Sequence, residues 1–170
     1  LDFAVYVSFF PQLVAGPIIR SREFLPQLSN EHSASADDVM RGMDQMFRGF
    51  FKKVVLADTL AVYVDAVYAA PEQFGAVNHL IAIYAYAFQI YFDFSGYSDI
   101  AIGTARILGF RIPRNFSLPY LSAGPSDFWQ RWHISLSTWL RDYLYISLGG
   151  SRATKFKTNR NLFLTMLLGG

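Results

Sequence analysis

Ala76-Val77-Asn78-His79-Leu80-Ile81-Ala82-Ile83-Tyr84-Ala85-Tyr86-Ala87-Phe88-Gln89-Ile90-Tyr91-Phe92 is the stretch from which the fold is read. It is almost continuously apolar, with Asn78 and His79 at its mouth. A helix that crosses a bilayer needs roughly 20 mostly apolar residues, so the stretch predicts a membrane span. It runs into Asp93-Phe94-Ser95-Gly96-Tyr97-Ser98-Asp99 and then into apolar Ile100 to Phe110. Two acids and two serines at that depth are expected to face a protein interior rather than lipid. The expected fold class is therefore all-α: part of a polytopic membrane protein with transmembrane, re-entrant and interfacial helices.

Composition agrees. Apolar residues make up 52% of the 170, aromatics 17% and charged residues 16%, against about 25% charged in an ordinary soluble chain. The mean hydropathy of +0.22 is modest, which predicts interfacial and interior-lining segments mixed among spans. The chain has no Cys; a disulfide scaffold, a thiolate zinc site and a Cys nucleophile are excluded. A net charge of +2 argues against a broad nucleic-acid surface.

Outward from the central stretch, Phe3 to Ile19 is apolar and aromatic but broken by Pro11 and Gly16-Pro17. It reads as the end of a span leading into a bent, membrane-level segment. Ser21 to Ala36 reads as a polar loop. Ser35 with Asp38 resembles a capping box, opening a long helix to about Ala69. Val39, Met43, Met46, Phe47, Phe50 and Phe51 give its first half a helical apolar period, which predicts a membrane-surface helix. Its second half, Val54 to Ala70, is apolar apart from Asp58, Thr59 and Asp65, and is expected to dip into or cross the bilayer. Pro71 to Gly75 is a turn. Arg106, Arg111 and Arg114 form a basic cluster, and Ser151 to Arg160 carries four cations without an acid. The positive-inside rule puts both loops in the cytoplasm. The segment between them, Trp132 to Leu148, is then a re-entrant or cytoplasm-side buried helix. The chain opens without Met and stops within an apolar run, so residues 1–170 are expected to be an internal piece of a domain continuing past both ends.

Candidate chemistry centres on Phe128-Trp129-Gln130-Arg131-Trp132-His133-Ile134-Ser135. Histidine suits proton transfer near neutral pH. Burial would lower the pKa of His133 and leave a neutral imidazole able to take a proton from a hydroxyl. The alternative is a structural histidine bonded to a neighbouring backbone, and local pattern leaves both open. His32 and His79 read as solvated or interfacial, and the three histidines share no metal-ligand spacing. G-x-S-x-G, P-loop and G-x-G-x-x-G motifs are absent. Asp93 and Asp99 form a candidate carboxylate pair, or else bond a neighbouring helix. Arg131 and Arg141 are candidate phosphate partners, although Arg141 beside Asp142 can equally be one ion pair. Gly149-Gly150 reads as a helix end.

The linear order goes further. Phe92-Asp93-Phe94-Ser95-Gly96-Tyr97-Ser98-Asp99, Leu108-Gly109-Phe110, Asn115-Phe116, Pro119-Tyr120, Phe128-Trp129, Arg131-Trp132-His133-Ile134-Ser135-Leu136-Ser137, Arg141-Asp142-Tyr143 and Gly149-Gly150 together resemble the membrane-bound O-acyltransferase superfamily. Phe10-Pro11-Gln12-Leu13, Gly16-Pro17-Ile18 and Phe24-Leu25-Pro26-Gln27-Leu28 fit its alginate O-acetyltransferase branch.

That resemblance implies a bundle of helices enclosing a tunnel, in a multi-pass protein of the bacterial inner membrane. It implies an acyl group, acetyl first among candidates, passing from a cytoplasmic thioester donor to hydroxyls of an exported polysaccharide such as alginate. It implies no bound cofactor; acetyl-CoA is a candidate donor substrate. Membrane lipid, extracytoplasmic acetyltransferase subunits and the exported polysaccharide are the implied partners, with no nucleic acid. Of the two hallmark histidines, one maps to His133. The other, usually taken as the base, is expected after Gly170, so residues 1–170 alone are expected to be inactive. Trp129, Arg131, Trp132, Ser135, Asp93, Asp99, Arg141 and Asp142 are the implied tunnel or substrate-orienting residues, with Tyr143 in an apolar, water-poor wall. Teichoic-acid D-alanylating and peptidoglycan O-acetylating homologues are the alternatives within the family; a non-enzymatic membrane transporter is the alternative outside it.

Overall fold

The computed structural model describes residues 1–13, 16–29, 34–152 and 154–169. Every regular element among them is helical. The chain divides into two units, Leu1–Pro113 and Arg114–Gly170.

In the first unit, α1 (Asp2–Ser8), α2 (Ser21–Ser29), α3 (Ala36–Phe50), α4 (Asp58–Ala69) and α5 (Ala76–Ile107) follow one another, with single 3₁₀ turns at Phe10–Gln12 and Pro71–Gln73. A π-helical segment, Phe51–Ala57, joins α3 to α4 without a break, so helix runs from Ala36 to Ala69 as the apolar period predicts. Ser35 caps it as expected: its Oγ accepts from the Asp38 N–H at 3.1 Å and donates to the Asp38 carboxylate at 2.7 Å.

Two glycine pairs set how closely this helix packs on α5. A Cβ on Gly42 would stand 2.7 Å from the Gly103 carbonyl oxygen, and one on Gly49 would stand 2.6 Å from that of Gly96. The reciprocal approaches are equally close. The pairing order, Gly42 with Gly103 and Gly49 with Gly96, makes the helices antiparallel. Only hydrogen fits on either side of the seam, because any larger group would push the backbones apart. Charged ties flank it. The Arg106 guanidinium donates to Asp38 at 3.1 Å, and Lys52 Nζ lies 2.5 Å from Asp99. Lys53 Nζ lies 2.5 Å from Asp93 and 3.0 Å from Asp58. Arg106 thus belongs to the last turn of α5 rather than to a free basic loop.

A small aromatic core closes the unit. Phe9, Ile19, Phe24 and Ala105 are buried together, and the Phe24 ring centroid lies 4.6 Å from Phe9 and 5.2 Å from Phe110. Burying one such ring contributes about 1.5–3 kcal/mol. This corrects the loop expected at 21–36 for Ser21–Ser29, residues 30–33 lying outside the described residues. Phe24 and Leu28, four apart, share a helix face turned to this core, and that apolar anchor outweighs the polar residues around it.

Helix α5 corrects the central expectation. Asp93 to Asp99 does not interrupt it, and the helix runs on to Ile107, about 48 Å at 1.5 Å per residue. Yet among the described residues no helix is both long enough and apolar enough to cross a membrane. The spans expected at 76–92 and within 54–70 are not found as such. Asn78, His79, Tyr84, Tyr86, Gln89 and Tyr91 dilute the first. The second lies within the continuous helix Ala36–Ala69 and carries Asp58, Thr59 and Asp65.

The second unit opens with extended chain and a 3₁₀ turn, Pro119–Leu121, followed by α6 (Pro125–Arg131) and α7 (Ile134–Trp139). A second π segment, Leu140–Tyr145, continues α7, and α8 (Lys155–Gly169) ends the described chain. The glycine stop is present. The Gly150 N–H bonds the Tyr145 carbonyl and the Gly149 N–H bonds that of Ile146, both glycines having positive φ. These are the paired bonds of a Schellman C-cap. Asn161, buried on α8, donates to the Gly150 carbonyl at 3.1 Å and holds that turn.

Candidate active site around His133

His133 sits between α6 and α7, at the bend that joins them. Trp132 ends α6 in extended conformation. His133 takes φ 42° and ψ 55°, the left-handed region, before α7 begins. Non-glycine residues are uncommon there, and such strain persists only where surrounding structure imposes it.

The imposing structure is visible on both sides. Trp132 is wedged among rings: its centroid lies 5.5 Å from Phe128 in a stacked pair, 5.1 Å edge-on from Phe116 and 6.1 Å from Tyr120. On the other side an extended strip, residues 115–117, runs beside the turn. The Ser117 N–H donates to the Arg131 carbonyl at 2.9 Å, and the Ile134 N–H donates to the Asn115 carbonyl at 2.9 Å. The Asn115 side-chain oxygen accepts from Ser135 Oγ at 2.6 Å and from the Ser135 N–H at 3.2 Å. Asn115 is 1% and Ser135 5% exposed.

His133 itself is half-buried. Burial pushes its imidazole below the ordinary value of 6.5, because a charged ring loses hydration there. The expectation of a ring inclined to be neutral near pH 7 is met by this direction.

The remaining predicted residues fall into place around, or apart from, this turn. Trp129 packs edge-on against Phe128 at 5.6 Å and remains partly exposed. Arg131 bonds Asp127 at 2.6 Å, one helical turn back, and Asp127 also accepts from the Ala123 N–H at 3.1 Å. The Arg131 contact, then the Ala123 bond, hold the Asp127 carboxyl below its usual range. Arg141 bonds its neighbour Asp142 at 2.8 Å and, with Tyr145, Arg152 and the Gly149-Gly150 turn, lines a cavity of about 360 Å³. The Tyr143 ring lies 5.3 Å from Trp139. Asp93 and Asp99 lie in the other unit, each against a lysine. His79 bonds the Gly75 carbonyl at 3.0 Å in the first turn of α5. His32 lies outside the described residues. Among those described, no three His, Asp or Glu side chains come together as metal ligands.

Sequence reasoning missed Asn115. It appeared only as one letter of a pattern, and nothing local links it to a serine twenty residues on. A buried amide between an extended strip and a helix start is a tertiary fact.

Comparisons with known proteins agree with the residue pattern. The family model of the membrane-bound O-acyltransferases matches residues 1–170. A probable alginate O-acetylase, AlgI, of Pseudomonas aeruginosa is 52% identical over 170 residues, all of this chain and 32% of that protein. A peptidoglycan O-acetyltransferase of Helicobacter pylori is 42% identical over 172 aligned positions, covering all of this chain and 33% of that protein. A teichoic acid D-alanyltransferase of Bacillus subtilis is 34% identical over 143 residues, 83% of this chain and 36% of that protein. The chain thus spans about a third of the length of these relatives.

Proposed function

Since the chain belongs to the membrane-bound O-acyltransferase family, we propose that it forms the His133-bearing part of an O-acyltransferase acting on an exported polysaccharide. The acyl group is acetyl, drawn from a cytoplasmic thioester such as acetyl-CoA, and the acceptor is a hydroxyl of alginate or a comparable polymer. Identity of 52% along the whole chain to proteins named alginate O-acetylases carries this choice. The 42% and 34% identities to a peptidoglycan O-acetyltransferase and a teichoic acid D-alanyltransferase favour those acceptors less.

The chemistry fits the turn. A hydroxyl oxygen attacks the thioester carbonyl, the new C–O bond forms, the C–S bond breaks, and the proton leaves the hydroxyl for a base and reaches the departing sulfur. A neutral imidazole is suited to that transfer near pH 7, and the burial of His133 keeps it neutral. In this reading His133 works at the reacting groups beside a second histidine after Gly170. Trp129 and Trp132 supply apolar surface that keeps water from the thioester. The protein works in the bacterial inner membrane, with extracytoplasmic acetyltransferase subunits as partners.

The test is ester-linked acetate on polysaccharide exported by cells carrying the full-length protein or His133→Ala. A fall of at least about 10²-fold is expected from losing a proton-transfer group. Unchanged acetate at normal protein level removes His133 from the site, and D-alanine in place of acetate moves the chain to the D-alanylating branch.

A further inference from the structure

Asn115 stands out among buried polar groups because its bonds go to the two residues that follow His133. The first N–H groups of any helix lack partners within the helix. In α7 these include Ile134 and Ser135. The residue at the capping position is His133, and its side chain makes no capping bond. Asn115 does that work from twenty residues upstream. Its main-chain oxygen takes the Ile134 N–H at 2.9 Å and its side-chain oxygen takes the Ser135 N–H at 3.2 Å. The same side-chain oxygen takes the Ser135 hydroxyl at 2.6 Å. Two bonds therefore hold backbone N–H groups immediately after a residue at φ 42°, and a third ties the Ser135 side chain to the same side-chain oxygen.

Removing the two made by the Asn115 side chain has a definite consequence, although the main-chain bond to Ile134 stays. With Ser135 untethered, the chain at His133 can relax toward negative φ, which is lower in energy for a residue with a Cβ. That relaxation swings the Cα–Cβ bond and carries the imidazole away from its half-buried position. A neutral amide is suited to the task. A charged group in its place would add a field term to the proton affinity of His133, whereas burial is the cause of the present shift.

We propose that Asn115 is a positioning residue of the acyl-transfer site, a trans-acting cap that locks His133 in the left-handed conformation through Ile134 and Ser135. This rests on the reading that His133 works in that site. Asn115 acts through His133 and touches no substrate.

The experiment uses the full-length protein in membranes and compares Asn115→Ala, Asn115→Asp, Ser135→Ala and His133→Ala. Two readouts are taken: ester-linked acetate on exported polysaccharide, and carbethoxylation of His133 by diethyl pyrocarbonate followed by mass spectrometry across pH. The reagent attacks the neutral ring, so the acid midpoint of labelling reports the proton affinity of His133. In the wild type that midpoint lies below the ordinary 6.5. In Asn115→Ala it rises toward 6.5, labelling quickens, and acetate falls at least tenfold at unchanged protein level. Asn115→Asp, which keeps an oxygen acceptor for Ser135, recovers part of the acetate. Ser135→Ala removes one bond of the three and shifts the midpoint in the same direction by less.

A wild-type labelling profile and wild-type acetate in Asn115→Ala, with His133→Ala inactive, overturn the cap while leaving the site reading intact. Full activity in His133→Ala overturns the site reading instead. Should Asn115→Ala fail to accumulate, Ser135→Ala decides, and an unmoved midpoint there overturns the proposal.

Discussion

In the Leu1–Pro113 unit, segments far apart in sequence are tied by opposite charges: Asp38 to Arg106, Asp99 to Lys52 and Asp93 to Lys53. In Arg114–Gly170 the charges pair with near neighbours, Arg131 with Asp127 and Arg141 with Asp142. There the distant ties run between neutral groups, Asn115 to Ser135 and Asn161 to Gly150. The difference follows from what each region must do. Two long helices can be pinned at their flanks by ion pairs that keep some contact with solvent. A turn that presents a titratable imidazole is better held by amides and hydroxyls, which orient the ring without setting its charge.

The largest effect expected from breaking this division is on the glycine seam. Gly49→Leu places a side chain where a Cβ already meets the Gly96 carbonyl oxygen at 2.6 Å. The expected cost is about 3 kcal/mol, the upper end for overpacking, read as loss of the thermal transition in detergent. Next comes Lys52→Met, which leaves Asp99 with the Gln45 amide at 3.2 Å but without its cation, in a tie whose side chains are 28% and 23% exposed. Such a pair lies between surface and buried cases, so a loss of about 1–2 kcal/mol is expected. Combining Lys52→Asp with Asp99→Lys recovers most of it in the same melt, and no recovery removes the pair from the fold's support.

Smaller again is a difference in pH response. His133 is a base whose folded pKa is depressed below 6.5. The unfolded state therefore binds more protons just below that value, and stability falls as pH drops through it. The Asp38 carboxyl is lowered from 3.8 by its Ser35 bond and then by Arg106. Its contribution is complete above that value and is lost only as pH falls beneath it. Relative to the intrinsic exchange rate, which itself slows as pH falls, protection at the Ser135 amide should decline from about pH 6.5 downward while that of the Asp38 amide holds until about pH 4. Simultaneous loss would contradict the division. The smallest change is at Gly75, where an added Cβ meets nothing within 4 Å. Gly75→Ser caps α5 better and should raise stability by a few tenths of a kcal/mol.

What could be read along the chain was what depends on neighbours in sequence. The Ser35 cap, the helix from Ala36 to Ala69 and the glycine stop at 149–150 are local signals and needed no tertiary knowledge. The same reasoning lost Ser21–Ser29, because polar letters outnumbered the two apolar ones that anchor it. It read 76–92 as a membrane span, because it weighed the apolar run above the Asn, His, Gln and Tyr residues that dilute it. It found His133 through a linear pattern. It could not find the strained φ or the role of Asn115, both of which exist only once residues twenty apart are brought together.

The π segment at Phe51–Ala57 carries one further consequence, for insertions and deletions. A π turn is a place where the chain holds one residue more than a plain α-helix would use. Deleting Val54 should let the surrounding segment wind as ordinary helix with little local penalty, so a gap there looks harmless in an alignment. It is harmless downstream as well. In an unbroken α-helix an extra residue would turn everything after it by about 100°; taking it up in the wide turn keeps Val64 and Val67, 2% and 0% exposed, on their packed face. The segment thus absorbs a change of chain length between the glycine seam and α4, and a one-residue deletion there should leave the buried face of α4 in place.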